Sequence, residues 1–409
     1  MTYNFSLFWR MTIRSFFKSQ NTYGKLTRKR IIFLLIFYTV WPAWSLFTWL
    51  CLFLDDIFFP AYRQHPVEKP LFILGNFRSG STFLHRLLSR DSAMFTSLRT
   101  WDIFLMPSIT QRKLFWGLAK VDRLFGSPLV TRLKNFDKRS LGQVRIHKIS
   151  LFEPEEDENI LLHAWSTFFV SFMFPFLDDL PPYQFFDDAL PAAEKKRVME
   201  FYRACIQRHM YATSKTGVRH FVSKSPASSA KIEALMETFP DARILYLVRN
   251  PLDMLPSTIS WLSYAWNVFS EPGKKYLYRD QVLALTKYWY HHPLQVIDQN
   301  PSPANMVVNY DELIRQPGEL IRDFYVRFGY TQGPGLEKII QDAIEETHSY
   351  QSDHVYHYEE MGFSREEIVR EFDDIFKRFN FDRREPGTSY TPANNSLPVF
   401  SAEVPLAAD

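Results

Sequence analysis

From residue 70 onward, short apolar runs alternate with longer segments whose apolar positions recur at helical spacing. Each run has the length and β-branched character of a buried strand, and a helical pattern follows it directly. The four runs lie at residues 71–75, 220–225, 242–248 and 305–310. Strands that alternate with helices predict a three-layer α/β fold, with a central parallel sheet between two layers of helices.

Two regions depart from this alternation. Residues 101–210, between the first two runs, have a mostly helical pattern, which predicts an insertion that roofs a site. Residues 385–409 are rich in Pro, Ser and Ala and show little periodicity, which predicts a flexible tail. The folded domain is therefore expected to span residues 70–384.

The N-terminal part of the chain has a different pattern. Residues 31–54 contain no charged side chain, and this uncharged, mostly apolar stretch of 24 residues exceeds the roughly 20 that a membrane-spanning helix needs. Residues 1–30 mix Phe and Trp with Arg and Lys, as membrane-surface helices do. We therefore expect residues 31–59 to associate with a membrane. The alternative is a pair of buried helices in a globular protein.

Two membrane arrangements are possible. Basic residues precede the apolar segment and acidic residues follow it, so the positive-inside rule places the rest of the chain outside the cytoplasm, in a Golgi-lumen (type II) arrangement. Asn394 begins a glycosylation sequon that suits this arrangement. However, Trp41, Trp44 and Trp49 lie deep in the segment, whereas tryptophan prefers the interface. A helix that breaks near Pro42 and returns keeps the protein on the cytoplasmic face, which we favour.

Composition limits the remaining possibilities. The 409 residues are 46% hydrophobic and 23% charged, as in a globular protein with a sizeable core. The net charge of +3 is too small to indicate a nucleic-acid partner. Cys51 and Cys205 are the two cysteines, and neither has metal-ligand spacing around it. We predict no metal site and no disulfide framework, which favours a reducing compartment.

A glycine-bracketed loop joins the first strand to its helix. Gly75 and Gly80 enclose four residues, so the backbone can curl around an anion, and the amides of residues 78–83 and the helix dipole can bind it. Ser81 stands where a nucleotide triphosphatase has lysine, which removes the charge that reaches the β and γ phosphates. Arg78 supplies a cation that stays protonated. The alternative is a plain strand-turn-helix without a ligand.

A second polar cluster follows the later strands. Arg249 stands at the C-terminal end of the run 242–248, where open parallel sheets bind their ligands. Ser257 follows about two helical turns later, so a guanidinium and a hydroxyl can bind one phosphate together. Lys224 ends the preceding strand beside the same crevice.

These segments resemble the sulfotransferases that use 3′-phosphoadenosine 5′-phosphosulfate (PAPS), in the broad branch that includes many bacterial members and is related to tyrosylprotein sulfotransferases. "FRSGSTF" resembles their 5′-phosphosulfate loop, "LVRNPLDMLPSTIS" their 3′-phosphate motif, "SKSP" a lysine motif, and "VVNYDELIRQP" a segment whose tyrosine lies near the nucleotide. The resemblance covers residues 70–380 and implies that PAPS is bound by Arg78, Ser79, Gly80, Ser81, Thr82, Phe83, Arg249, Ser257 and Tyr310. The family's glycine-rich C-terminal clamp is replaced by a weak substitute at residues 353–364.

A sulfotransferase needs a group that takes the proton of the acceptor hydroxyl. Asp102 lies where related enzymes place an acidic base, and Glu155 is the leading competitor. The other candidates are Glu153, Glu156 and His147. Acids in the first turn of a helix also suit the helix dipole without any catalytic role.

The resemblance implies an enzyme that moves a sulfonate in line onto a hydroxyl, without a metal, and the apolar segment adds that it is membrane-associated. Arg78 and Lys224 then stabilise charge on the leaving phosphate, and Lys224 can also donate a proton. The apolar segment favours a lipid-like acceptor, with sterol, glycolipid, saccharide and tyrosine left open. The alternatives are a P-loop kinase using ATP, which Ser81 disfavours, and a membrane-anchored nucleotide-binding protein without activity.

Overall fold

The computed structural model describes residues 2–141, 150–213, 219–271, 276–333, 335–349, 358 and 361–383. The predicted tail, His147 and Asn394 lie outside the described residues, as does most of the segment 353–364.

The centre of the fold is a sheet of five parallel strands, which confirms the predicted α/β class. The strands are β1 (Leu71–Gly75), β2 (Phe95–Thr96), β3 (His220–Lys224), β4 (Arg243–Val248) and β5 (Asn305–Asn309), in the order β2-β3-β1-β4-β5. Four of them match the apolar runs of the sequence. The edge strand β2 has two residues, too few for a periodic pattern.

Helices connect the strands and precede the sheet. Two lie before β1: α1 (Phe5–Phe17) and α2 (Arg28–Phe58). Those between β1 and β3 are α3 (Ser81–Leu88), α4 (Thr100–Phe104), α5 (Ile109–Leu124), α6 (Pro128–Phe136), α7 (Val170–Met173), α8 (Pro181–Gln184), α9 (Phe186–Ala189) and α10 (Ala192–Thr213). The later ones are α11 (Ile232–Thr238), α12 (Pro251–Phe269), α13 (Arg279–Gln299), α14 (Tyr310–Arg315), α15 (Pro317–Phe328), α16 (Gly335–Ser349), α17 (Arg365–Glu371) and α18 (Asp373–Phe379). Short 3-10 helices include Asp157–Ala164 and Pro226–Lys231.

Apolar side chains cover both faces of the sheet, as parallel sheets require. Successive residues of a strand point to opposite faces. Phe72 and Tyr246 accordingly pack in one buried cluster with residues of α12 and α13. Ile73 and Leu245 pack in the other, with residues of α3, α15 and α16. The strands therefore form a rigid sheet that is packed on both faces, and polar loops leave it at the carboxyl ends of the strands.

The described residues contain one helix that is long and apolar enough to cross a membrane, namely α2. It continues through Pro42, so the predicted break at this residue is absent. Trp44 Nε1 donates to the carbonyl of Phe104 and Trp49 Nε1 to the carbonyl of His163, both at 3.0 Å. The tryptophans that suggested a turn at the interface instead attach a continuous helix to the rest of the protein.

Candidate active site

The loop between β1 and α3 takes a shape that its glycines permit. Gly80 has φ +88°, and a Cβ atom at this position would lie 2.6 Å from the ring of Tyr310. Gly75 has φ +146°, and a Cβ there would lie 2.6 Å from the carbonyl oxygen of Leu247. Both glycines thus let the loop curl tightly against β4 and α14.

The curled loop presents unused donors. Within the described part of the chain, the backbone amides of Ser79, Gly80, Ser81 and Thr82 donate to no protein acceptor. They stand at the N-terminus of α3, where the helix dipole is positive. This arrangement fits a phosphate or sulfate group.

The two anion-binding motifs of the sequence meet in space. Arg78 Nε donates to Ser257 Oγ at 3.1 Å, and Arg249 Nη1 donates to the carbonyl of Arg78 at 2.8 Å. The guanidinium of Arg249 lies 4.5 Å from the centre of the Tyr310 ring. Arg78 is therefore linked directly to residues more than 170 positions later in the chain. These links fix the distance between the loop and Arg249, which follows the carboxyl end of β4.

A cavity of about 370 Å³ opens at this junction, at the carboxyl edge of the sheet. Seven of the predicted nucleotide-binding residues line it: Arg78, Gly80, Ser81, Thr82, Phe83, Arg249 and Tyr310. The other two support them, since Ser79 is buried within the loop and Ser257 holds Arg78. The volume of the cavity lies within the range of small-molecule sites.

Glu156 brings a carboxylate to the cavity. Its Oε1 lies 2.7 Å from Nζ of Lys224, the last residue of β3 and only 1% exposed. Next to it, Asp157 accepts hydrogen bonds from the hydroxyl of Ser223 at 2.8 Å and the amide of Lys224 at 3.1 Å, and also from Tyr202. Burial raises the pKa of Asp157 to about 6. Asp157 thus fastens the segment to β3 and leaves Glu156 facing the cavity.

The structure does not bring the two favoured base candidates to the cavity. Asp102 accepts from Arg112 Nη1 at 2.8 Å and from the amide of Arg99 at 3.1 Å, so one of its oxygens pairs with α5 and the other caps the start of α4. Glu155 is buried, accepts from the amide of Glu156 at 2.9 Å and is not part of the lining. Among the described candidates, Glu156 is the one that lines the cavity.

Comparison with known proteins identifies the fold and the family. The sequence model described as the sulfotransferase family matches residues 70–333, more than half of the chain. The chain belongs to the sulfotransferase family. Sulfonate transfer is accordingly its class of activity.

Individual relatives and solved structures are similar to most of the chain. The chain is 23% identical over 327 residues to omega-hydroxy-beta-dihydromenaquinone-9 sulfotransferases of Mycobacterium bovis and Mycobacterium tuberculosis, covering 78% of this chain and 77% of each relative. The solved sulfotransferase STF9 of Mycobacterium avium is similar with a TM-score of 0.64 and 20% identity, over 81% of this chain and 82% of that one. Sulfotransferase STF1 of M. tuberculosis gives 0.63 and 16%, over 91% and 94%. These two structures establish the fold.

Sequence reasoning missed several lining residues of this sulfotransferase. They are Phe77, Pro226, Trp261, Ile314, Glu346 and Thr347. Helical spacing offered a signal for two of them, because Trp261 lies one turn after Ser257 and Ile314 one turn after Tyr310. Trp261 stacks on Phe77 with ring centres 5.0 Å apart, which gives the cavity an apolar wall.

His85, on the helix that begins at the loop, is expected to make the folded sulfotransferase less stable in acid. Burial, and then the charge of Lys224, lower the pKa of His85 from 6.5 to about 3. The unfolded chain therefore binds a proton that the folded protein does not, and the stabilisation present above pH 6.5 is lost as pH falls towards 3. A His85→Gln protein should show a free energy of unfolding that falls less steeply between pH 6 and 4, by about 1.4 kcal/mol per pH unit. Urea unfolding at several pH values measures this, and equal slopes would contradict it.

Proposed function

We propose that this sulfotransferase moves the sulfonate of PAPS onto the hydroxyl of a lipid-like acceptor. The observation that carries the proposal is that one cavity brings together the anion-binding loop, Arg249 and Glu156, whose carboxylate is held by Lys224 behind it. An enzyme of this kind needs two anion contacts at a fixed separation and a proton acceptor between them.

The loop and Arg249 are proposed to bind different phosphate groups of the nucleotide. The amides at the start of α3 suit the 5′-phosphosulfate, because they are unused donors at the positive end of a helix. Arg249 suits the 3′-phosphate, with Tyr310 against one face of its guanidinium. Arg78, held by Ser257, lies between the two contacts. The positive charge that this reaction requires then comes from side chains of the chain itself.

Glu156 and Lys224 are proposed to serve the transfer step. Glu156 takes the proton of the acceptor hydroxyl while the oxygen of that hydroxyl forms the new bond to sulfur. The bond between sulfur and the 5′-phosphate oxygen breaks, and adenosine 3′,5′-bisphosphate leaves with the electron pair. Lys224 holds the Glu156 carboxylate at 2.7 Å and, together with Arg78 and the loop amides, stabilises charge on the leaving phosphate.

Two observations support a lipid-like acceptor. The cavity has an apolar wall formed by Phe77, Trp261 and Ile314. In addition, the curated relatives are named for an omega-hydroxylated dihydromenaquinone. A hydroxyl carried at the end of an apolar chain fits both.

Transfer of label tests the proposal. The full-length protein is incubated with [35S]PAPS and a lipid extract of its host in the presence of EDTA, and the products are separated into lipid and aqueous phases. We expect label in the lipid phase, since the proposed step uses no metal. Label confined to the aqueous phase would count against a lipid acceptor. Transfer from [γ-32P]ATP that EDTA abolishes would instead support the kinase alternative.

We further propose that the cavity faces the cytoplasm. Cys51 and Cys205 are buried and unbridged, as suits a reducing compartment. Protease treatment of sealed inside-out and right-side-out vesicles tests this. Digestion of the sulfotransferase domain in the inside-out vesicles alone is expected, and the reverse pattern would favour the lumenal arrangement.

A further inference from the structure

The polar and apolar sides of α2 are reversed relative to a helix on the surface of a soluble protein: apolar side chains face outward and polar ones face the protein. Its buried residues include Arg30, Ser45, Thr48 and Asp55, so part of its polar side faces the protein. Its exposed residues include Leu35 at 64% and Leu46 at 73%. Between residues 31 and 54 there is no charged side chain to place on the outer face. Hydrocarbon suits such a surface better than water does.

Both ends of α2 are bound to the same globular body. Near its start, Arg30 Nη1 donates to the carbonyl of Met173 at 2.6 Å. At its end, Asp55 accepts from the amide of Ile109 at 2.7 Å and from Arg208 Nε at 3.1 Å. The helix is about 46 Å long, longer than the roughly 30 Å hydrocarbon core of a bilayer. If α2 crossed the membrane, the polar body along its inner side would have to enter the hydrocarbon too.

A second exposed apolar surface lies on a pair of helices next to α2. We call residues 109–136, which form α5 and α6, the basic arm. Gln111 Nε2 at its base donates to Thr48 Oγ1 of α2 at 3.1 Å. The exposed apolar residues towards its tip include Val121, Leu124, Phe125, Leu129 and Phe136. Leu124 and Phe125 are 83% and 77% exposed, so these side chains contribute little to the core.

The exposed charges of the basic arm all have one sign. They belong to Lys113, Lys120, Arg123, Arg132 and Lys134. Its single acid, Asp122, is buried and accepts from the amides of Leu129 and Val130 at 3.0 Å each, which caps α6. Residues 1–54 contain seven Lys or Arg and no acid, whereas the whole chain has 48 basic and 45 acidic residues. Positive charge is therefore concentrated on the parts of the chain that expose apolar side chains.

We infer that the basic arm and the outer faces of α1 and α2 form one surface that docks on a bilayer leaflet containing anionic lipid. In this arrangement α2 lies in the plane of the interface and does not cross the membrane. Apolar side chains enter the leaflet, and the lysines and arginines of the arm meet the anionic headgroups. Trp9 and Phe17 extend the surface along α1, which is joined to α2 by a hydrogen bond of 2.8 Å from Tyr38 to Thr12.

This docking gives the acceptor a short path, a consequence that rests on the proposed function. Trp261, in the middle of α12, lines the cavity, and Phe269 at the C-terminal end of the same helix has its ring centre 4.6 Å from that of Phe33 in α2. Trp261 and Phe269 are eight positions apart in the helix, which corresponds to a rise of about 12 Å. A lipid lying in the leaflet can therefore present its hydroxyl to the cavity while its apolar chain remains in the membrane.

Flotation with vesicles tests the docking surface without nucleotide, so its outcome is independent of the proposed transfer. Full-length protein is mixed with vesicles of phosphatidylcholine alone or with added phosphatidylglycerol. A protein carrying Lys120→Gln, Arg123→Gln and Lys134→Gln should bind the anionic vesicles about a hundredfold more weakly. The matched control, Arg322→Gln, Lys338→Gln and Arg370→Gln, removes the same charge from α15–α17 and should bind normally. Equal losses in both variants, or equal binding to the two vesicle types, would overturn the inference.

Cysteine labelling tests the orientation of α2. Lys25→Cys and Arg63→Cys place single exposed thiols before and after the helix, and the natural cysteines are buried. A maleimide that cannot cross membranes is added to sealed vesicles that carry either variant. An in-plane helix predicts that both thiols react or both are protected. Reaction at one of them alone would show that the helix crosses the bilayer.

Discussion

A Glu156→Gln protein should bind adenosine 3′,5′-bisphosphate like the natural protein and lose at least about a hundredfold in turnover. Gln keeps a hydrogen-bond acceptor for Lys224, 2.7 Å away in the natural protein, but it cannot take the proton of the acceptor. Initial rates with [35S]PAPS give the turnover, and calorimetry gives the nucleotide affinity. Thermal melting shows whether the variant is folded.

The neighbouring acids supply the controls for this prediction. Glu155→Gln and Glu153→Gln should retain turnover, because Glu155 is absent from the cavity lining and Glu153 is exposed. Asp102→Asn should lower the melting temperature, since it removes the buried charge that pairs with Arg112. If Asp102→Asn or Glu155→Gln abolished turnover in a stable protein while Glu156→Gln did not, the proposed base would be wrong.

An Arg249→Met protein should lose about a hundredfold in affinity for adenosine 3′,5′-bisphosphate, while its weak affinity for AMP stays nearly unchanged. The guanidinium is proposed to bind the 3′-phosphate, which AMP lacks, and charge-assisted bonds of this kind contribute about 1.5–3 kcal/mol each. Arg249 also bonds to the carbonyl of Arg78 at 2.8 Å, and AMP is the reference for this bond, because a loosened loop would weaken the binding of both nucleotides. Competition between the two nucleotides measures the preference.

An exposed arginine provides the comparison. Arg322→Met removes one positive charge from α15, outside the cavity, and should leave both affinities unchanged. A loss of affinity for AMP as large as that for the bisphosphate in Arg249→Met would show that this residue supports the fold of the loop and does not select the 3′-phosphate.

The sequence predicted the features that depend on neighbouring residues. The strand runs alternate with helical patterns locally, and the spacing from Gly75 to Gly80 marks the loop by itself. Arg249 was predictable because it directly follows a strand of a parallel sheet, and such positions converge on one edge.

Neighbouring residues did not reveal which of the acidic candidates faces the cavity. Glu155 and Glu156 are adjacent, and the bonds that Asp157 makes to Ser223 and Lys224 decide which of them faces the cavity. Those bonds join segments more than 60 residues apart. No local pattern reports them.

The N-terminal helix shows the same limit. Trp44 and Trp49 were interpreted from their depth in an apolar segment, but their hydrogen bonds to Phe104 and His163 depend on where the insertion folds. Part of that insertion, expected to roof a site, forms the exposed basic arm. Its exposure is a tertiary property, because the amphipathic pattern alone does not say which partner covers it.

Calorimetry of the full-length protein with adenosine 3′,5′-bisphosphate in EDTA tests whether one cavity joins the loop to Arg249 and holds this nucleotide. We expect saturable binding of one nucleotide per chain, much weaker binding of AMP, and no competition from ATP at equal concentration. A folded protein that gave no heat with the bisphosphate, or that bound ATP in preference to it, would show that this cavity is not a site for the bisphosphate.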